Sequence, residues 1–299
     1  MKMTINASLC EAIRKIAGED VSITKSVRIS GGDINEASML SLSNGRKVFL
    51  KSNRSKGAEF FEAEAQGLSA IRDTNAIAVP EVLGIGKDPD NGAFLILGFI
   101  ENSQKIDGYW RIFAEELAAM HRADTSEYVT GGKYGFLNDN YIGSREQVNT
   151  PYENWVDFFR DCRLIPRFEG ASSYFDEGMT RSINHLLDHL DKWLIEPERP
   201  SLLHGDLWGG NAITGSDGKA WLIDPAVYVG HAEADIAMTE LFGGFAGEFY
   251  QAYANSGMIS DGYEDRRDIY NLYHLLNHLI SFGRSYYGSV ARIVKYYAG

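Results

Sequence analysis

Residues 201–225 constrain this 299-residue chain more than any other stretch. Leu202 and Leu203 lead into His204-Gly-Asp-Leu-Trp-Gly-Gly-Asn211, and a second apolar run over 220–223 ends in Asp224. Asp206 and Asn211 are five apart, and Asp224 follows Asn211 by thirteen. Phosphoryl transfer from a nucleotide needs a carboxylate to orient the attacking hydroxyl and take its proton. It also needs an amide oxygen and a second carboxylate to hold the metal on the phosphates. Kinase catalytic loops supply these three groups in this order. Asp206 is therefore the candidate base. Asn211 and Asp224 are candidate ligands of Mg²⁺, which takes hard oxygen donors. His-Gly-Asp alone occurs by chance; its spacing to the other two residues, between two apolar runs, carries the signal. His204 is expected to pack behind the loop as a structural residue.

Upstream, Leu9, Ile13, Ile16 and Ala17 share one helical face. An alternating segment over 21–29, the turn at Gly31 and Gly32, and Met39 to Leu42 read as strand, turn and strand. Asn44-Gly45 is a tight-turn signal before a third strand ending in Lys51. Residues 57–72 are helical, with Phe61, Ala65 and Leu68 on one stripe. Two more strands are expected over 79–83 and 93–97. A lysine ending the third strand is placed to contact nucleotide phosphates and to pair with a glutamate of the next helix. Glu64 is preferred to Glu62 because it lies nearer the apolar stripe. Gly31 and Gly32 are candidates for backbone contacts with ATP phosphates, although the turn departs from Gly-x-Gly-x-x-Gly and from the Walker pattern. Beyond residue 108 the chain is mainly helical. The expected fold is α+β: a small β-rich nucleotide-binding lobe over 1–98 and a larger, mainly helical catalytic and substrate lobe over 99–299.

The segment after Asp224 is short, with a new helix starting by Asp235 and nothing resembling the Ala-Pro-Glu that ends an activation loop. A protein-kinase substrate is thereby disfavoured and a small hydroxyl-bearing acceptor favoured. Trp208 is read either as an aromatic wall for a sugar or as a core anchor. His231 to Asp235 look like a metal cluster but are better explained as caps, with Asp235 bonding backbone amides of the catalytic loop. The net charge of −12 argues against nucleic acid, whose phosphates require a basic face. Cys10 and Cys162 form neither metal spacing nor a disulfide framework. With no signal-peptide pattern and no apolar run long enough to span a bilayer, a soluble cytoplasmic protein without membrane partners is expected.

The catalytic run, together with Asp224-Pro-Ala226 and Gly230-His-Ala-Glu-Ala-Asp-Ile-Ala-Met238, resembles the fructosamine kinase (ketosamine 3-kinase) family. Tyr134-Gly-Phe, Asp139-Asn-Tyr-Ile-Gly143, Asn149, Arg163, Leu241-Phe-Gly-Gly-Phe245 and the run at 270–277 extend the resemblance over nearly the whole chain. It implies a protein-kinase-like fold and ATP- and Mg²⁺-dependent phosphorylation of the 3-hydroxyl of fructosamines or ribulosamines, whose labile products read as deglycation. The acceptor is a small ketosamine or a glycated protein amine, and the chain a monomer or homodimer. By the same resemblance Lys51 and Glu64 serve the phosphates, Trp208 lines the sugar site, and Leu97 and Phe99 flank a hinge that holds adenine through its backbone. Gly98 stands at that hinge where many relatives carry an acidic residue. The alternatives are an aminoglycoside- or choline-type hydroxyl kinase and a non-catalytic nucleotide-binding pseudokinase.

Overall fold

Alternating apolar side chains build a sheet that is covered on both faces. The computed structural model describes residues 7–29, 35–88 and 92–299. Helix α1 (Ala7–Ala17) precedes β1 (Ile23–Ile29), β2 (Glu36–Leu42) and β3 (Lys47–Asn53). Helix α2 (Ala58–Asp73) follows, then β4 (Val82–Asp88) and β5 (Gly92–Gly98). All pairings are antiparallel, in the order β1-β2-β3-β5-β4. Successive side chains of a strand point to opposite faces. Leu40, Leu42, Val48, Leu50, Phe94 and Ile96 thus pack under Leu9 and Ile13 of α1. Phe49, Leu95 and Leu97 face the other way, against Phe61, Leu68 and Ile71 of α2. Lys51 is two residues from Phe49 and shares this inner face.

Strand β4 starts at Val82, later than the expected 79–83. Pro80 lacks an N–H for a ladder. The chain before it is engaged elsewhere: Ala78 bridges to Trp221, and its carbonyl accepts the Leu222 amide at 2.9 Å.

The rest is helical around short hairpins. Helix α3 (Tyr109–His121) leads to the hairpin β6 (Asn140–Ile142) and β7 (Arg145–Gln147). There follow α4 (Trp155–Phe158), a π-helical turn over Phe159–Leu164, α5 (Ile165–Gly170) and α6 (Glu177–Asp188). Strand β8 (Ser201–Leu203) pairs with β11 (Tyr228–Gly230), and β9 (Ala212–Thr214) with β10 (Ala220–Leu222). The chain ends in α7 (Glu233–Leu241), α8 (Gly247–Ala254), α9 (Tyr263–Phe282) and α10 (Tyr287–Ala298). The 140–147 hairpin begins inside the stretch 131–143, which reads in sequence as a long loop, and α10 has no reading of its own. One hydrophobic core runs from α2 and the inner sheet face through Phe113, Trp155, Leu203 and Tyr228 to α9 and α10. No helix of the described residues is long and apolar enough to cross a membrane.

Candidate active site

The chain from β8 to β11 folds back on itself so that both ends of the catalytic loop are held by backbone bonds. Ala226 N donates to His204 O at 2.8 Å, and Ile223 N donates to Asn211 O at 3.0 Å. Gly205 has φ +80°, and a Cβ there would lie 2.0 Å from Ala226 O, so only glycine permits this approach. His204 is fully buried. Burial lowers its pKa, so its ring is neutral. Nε2 faces Ile223 O at 3.0 Å and therefore carries the proton, leaving Nδ1 to accept the Asp206 amide at 3.3 Å. The histidine ties both ends of the site together, as its structural reading requires.

Asp235, at the start of α7, accepts the amides of His204 (2.7 Å) and Gly205 (2.9 Å). Its Oδ2 also faces His121 Nε2 at 3.1 Å, and His121 Nδ1 meets the Tyr253 hydroxyl at 2.6 Å. Burial alone would raise the Asp235 pKa. The neighbouring His121 and His204 and the Gly205 amide outweigh it and hold the carboxylate below its ordinary range. The catalytic loop is thus anchored to the ends of α3, α7 and α8. The other members of the His231–Asp235 run serve structure too. His231 Nδ1 meets Tyr270 OH at 2.7 Å, and Glu233 binds the Arg266 guanidinium at 2.7 and 2.8 Å.

Asn211 Nδ2 donates to Asp206 O (2.8 Å) and to Asp206 Oδ2 (3.1 Å). These bonds use both of its amide hydrogens and leave its oxygen as an acceptor. Burial pushes the Asp206 carboxyl up to about 7, against the opposing bond from Asn211 and with the charges of Asp224 and Asp235 behind it. Lys51 Nζ bonds Glu64 Oε1 at 2.6 Å and also binds Asp224 Oδ1. Burial would lower the lysine pKa, but the Asp224 and Glu64 carboxylates outweigh it and raise it, so the ammonium stays charged. Glu62 is exposed and Glu64 is not. Asp224 has φ +56°, a left-handed backbone that non-glycine residues rarely adopt except Asn and Asp. Nearly half of its side chain is solvent-exposed, at 46%. Strain of this kind concentrates at functional sites.

The short segment after Asp224 is gripped from the side. Asn140 Nδ2 donates to Val227 O (2.6 Å) and Gln147 Nε2 to Ala226 O (3.0 Å), while Tyr273 OH donates to Gln147 Oε1 (2.7 Å). Fully buried Arg163 binds Asn149 Oδ1 at 2.7 Å and lies 4.0 Å from the Tyr228 ring centroid.

Trp208 is 41% exposed, so it is not a core anchor. Its ring folds over Gly210, where a Cβ would meet the indole at 2.2 Å. Leu97 pairs with Phe49 on one side and Val82 on the other and buries its side chain. Phe99 is partly exposed, with Lys47 Nζ 5.8 Å from its ring. Gly31 and Gly32 lie outside the described residues. His274 of α9, spaced four from His278 with no adjoining glutamate base, reads in sequence as a core residue. It is buried, yet its Nδ1 lies 3.9 Å from Asp206 Oδ1, and burial lowers its pKa to about 3. A neutral imidazole therefore faces the candidate base. His274 lies 68 residues on from Asp206 by the numbering, and no local motif connects them.

For a divalent cation the donor chemistry fits. The Asn211 side-chain oxygen and the exposed Asp224 carboxylate, whose Oδ1 binds Lys51, are hard donors. No cluster of three or more His, Cys, Asp or Glu suited to a metal occurs among the described residues. A magnesium ion held mainly by nucleotide phosphates needs only one or two protein ligands.

The arrangement of sheet, helices and catalytic loop recurs in solved structures. An aminoglycoside phosphotransferase in ternary complex with AMP-PNP and hygromycin B superposes with TM-score 0.68 over 98% of each chain, at 18% identity, a likeness of fold. A protein assigned as a fructosamine-3-kinase from Haemophilus somnus 129PT superposes with TM-score 0.84 at 29% identity, covering 97% of this chain and 96% of that one. The fold is protein-kinase-like, of the class that the phosphotransferases share. Within that class the chain belongs to the fructosamine kinase family, whose model matches residues 5–298. It is 40% identical over 278 residues to a probable ketoamine kinase of Vibrio parahaemolyticus, covering 89% of this chain and 90% of the relative. It is 39% identical over 286 residues to a chloroplastic protein-ribulosamine 3-kinase of Oryza sativa subsp. indica, covering 94% and 80%.

Proposed function

We propose that this protein transfers the γ-phosphoryl group of ATP to the sugar 3-hydroxyl of a ketosamine, a fructosamine or ribulosamine. The observation that carries the reading is the convergence of two linked sets, Asp206 with Asn211 and Asp224 with Lys51 and Glu64. Family membership and the names of the relatives support the acceptor class.

In this reading Asp206 accepts the hydrogen bond of the acceptor hydroxyl. As the hydroxyl oxygen bonds to the γ-phosphorus and the bond to the β–γ bridging oxygen breaks, the proton passes to Asp206. A carboxyl poised at about 7 suits proton transfer at neutral pH. Lys51, oriented by Glu64, binds the phosphates. Asn211 and Asp224 hold Mg²⁺, which when bound offsets the negative charge of the phosphates. Leu97 and Phe99 receive the adenine at the end of β5, where the nucleotide lobe (1–98) gives way to the catalytic lobe (99–299). Trp208 forms a wall for the sugar. Glycated protein amines, a cytoplasmic setting and a role in deglycation belong to the same proposal.

The test is ADP release from Mg-ATP with N-linked fructose and ribulose amines, run beside aminoglycosides and choline. Turnover confined to the ketosamines is expected. No turnover above background on any ketosamine would overturn the proposal.

A further inference from the structure

Helix α9 carries a line of rings away from Asp206. His274 stands beside the carboxylate, His278 lies one turn on, Phe282 one turn further, and Tyr286 in the short turn that follows. Residues four apart share a helix face. The line from His274 to Phe282 therefore extends about 12 Å, at ~1.5 Å per residue. The His278 ring stacks on Phe242, centroids 4.8 Å apart, and meets Phe282 at 5.2 Å and Tyr286 at 4.9 Å. Phe242 in turn approaches Trp208 edge-on at 6.5 Å. The strip also lies beside the loop at a second place, where a Cβ added at Gly209 would come within ordinary contact distance, 3.4 Å, of Gly243 O, next to Phe242.

Large aromatic side chains are mostly buried, so a contiguous exposed patch of them calls for a partner. Here Phe242 is 40% exposed and Phe282 is 55% exposed, beside the exposed Trp208. His278 Nδ1 is buried and has no hydrogen-bond partner among the described residues. This aromatic line begins at the base and is continuous with the sugar wall. Whatever is attached to the phosphorylated sugar has to extend away from Asp206, and this line of rings runs from buried His274 out to exposed Phe282.

We infer that Phe242, His278, Phe282 and Tyr286 form the subsite for the nitrogen-borne substituent of the acceptor, which selects an ammonium followed by an apolar chain or ring over a short one. The inference rests on the ketosamine reading above, in which the sugar carries a basic secondary amine. Ring faces attract such a cation and pack the methylenes or ring beyond it. The chain's net charge of −12 does not oppose it. A lysine side chain bearing the sugar has this chemistry.

The test compares two acceptors, the fructose adduct of methylamine and that of Nα-blocked lysine, on wild type, Phe282→Ala and Phe282→Tyr. Phe282 is largely exposed, so its truncation leaves the core intact, and the thermal midpoint of each variant checks this. Wild type is expected to favour the lysine adduct in kcat/KM. Phe282→Ala should lower that preference roughly five- to tenfold, through KM, with Phe282→Tyr restoring most of it. An unchanged preference, or equal loss on both acceptors, overturns the subsite while leaving the kinase reading intact. If wild type turns over neither acceptor, both fall together.

Discussion

Asp206 depends on two neighbours from its own loop and one from far along the chain. Its amide bonds His204, its carboxylate bonds Asn211, and His274 closes in from α9. Replacing Asp206 by Ala should lower kcat by about 10²–10⁴ while leaving ATP affinity nearly unchanged, because the base acts on the acceptor. Single-turnover kinetics with a parallel nucleotide titration separate the two; unchanged turnover would remove Asp206 from the role. Gly205→Ala should cost on the order of 2–3 kcal/mol of stability, since it places a side chain at φ +80° against Ala226 O. A midpoint equal to wild type in urea would refute the strain argument. The loop residues were legible because their spacing is itself the signal. Glu64 was legible because Glu62 falls off the apolar stripe of α2. His274 and His121 were not, since a single histidine on an apolar helix face gives no hint of which carboxylate it will meet.

At the scale of elements, α2 sets where Glu64 stands, and its docking depends on an absent side chain. A Cβ at Gly67 would lie 3.1 Å from Val227 Cγ2 and 3.5 Å from Pro225 Cγ, just past Asp224. Asn138 Nδ2 donates to Gln66 Oε1 at 3.1 Å, and Lys56 Nζ reaches Ser144 O at 3.0 Å, adding further ties to the loop and hairpin around 138–147. Gly67→Leu should push α2 outward, loosen the Lys51–Glu64 pair and raise the KM for ATP roughly tenfold at similar fold stability. An unaltered ATP KM would mean that the helix docks without this contact. Strand and helix periodicity made the sheet, α1, α2 and most later helices legible. The β6–β7 hairpin was hidden because Asn140 and Gln147 face inward as hydrogen-bonding groups, so the segment lacks the apolar alternation that marks a strand. The start of β4 was misplaced because Pro80 and the Ala78 bridge override a favourable apolar run.

For the whole molecule, buried neutral histidines set an acid limit. Burial lowers the His231 pKa to about 4 and that of His274 to about 3, against 6.5 for the free side chain. The unfolded chain takes up these protons first, so stability should be fully present above pH 6.5 and fall as pH drops from 6.5 towards 4. Each group contributes on the order of 2–3 kcal/mol of that loss. Urea midpoints measured across the window check it, and a flat profile would contradict it. His231→Gln, which keeps a polar group beside Tyr270, should flatten part of the slope. The docked α2 also bears on nucleotide binding. With Lys51 bound to both Glu64 and Asp224, and the backbone after Asp224 clamped by Asn140 and Gln147, α2 already stands where the Lys51–Glu64 pair requires it. On the proposed reading such a pair enters each cycle already ordered, so an arriving nucleotide has less of it to set in place.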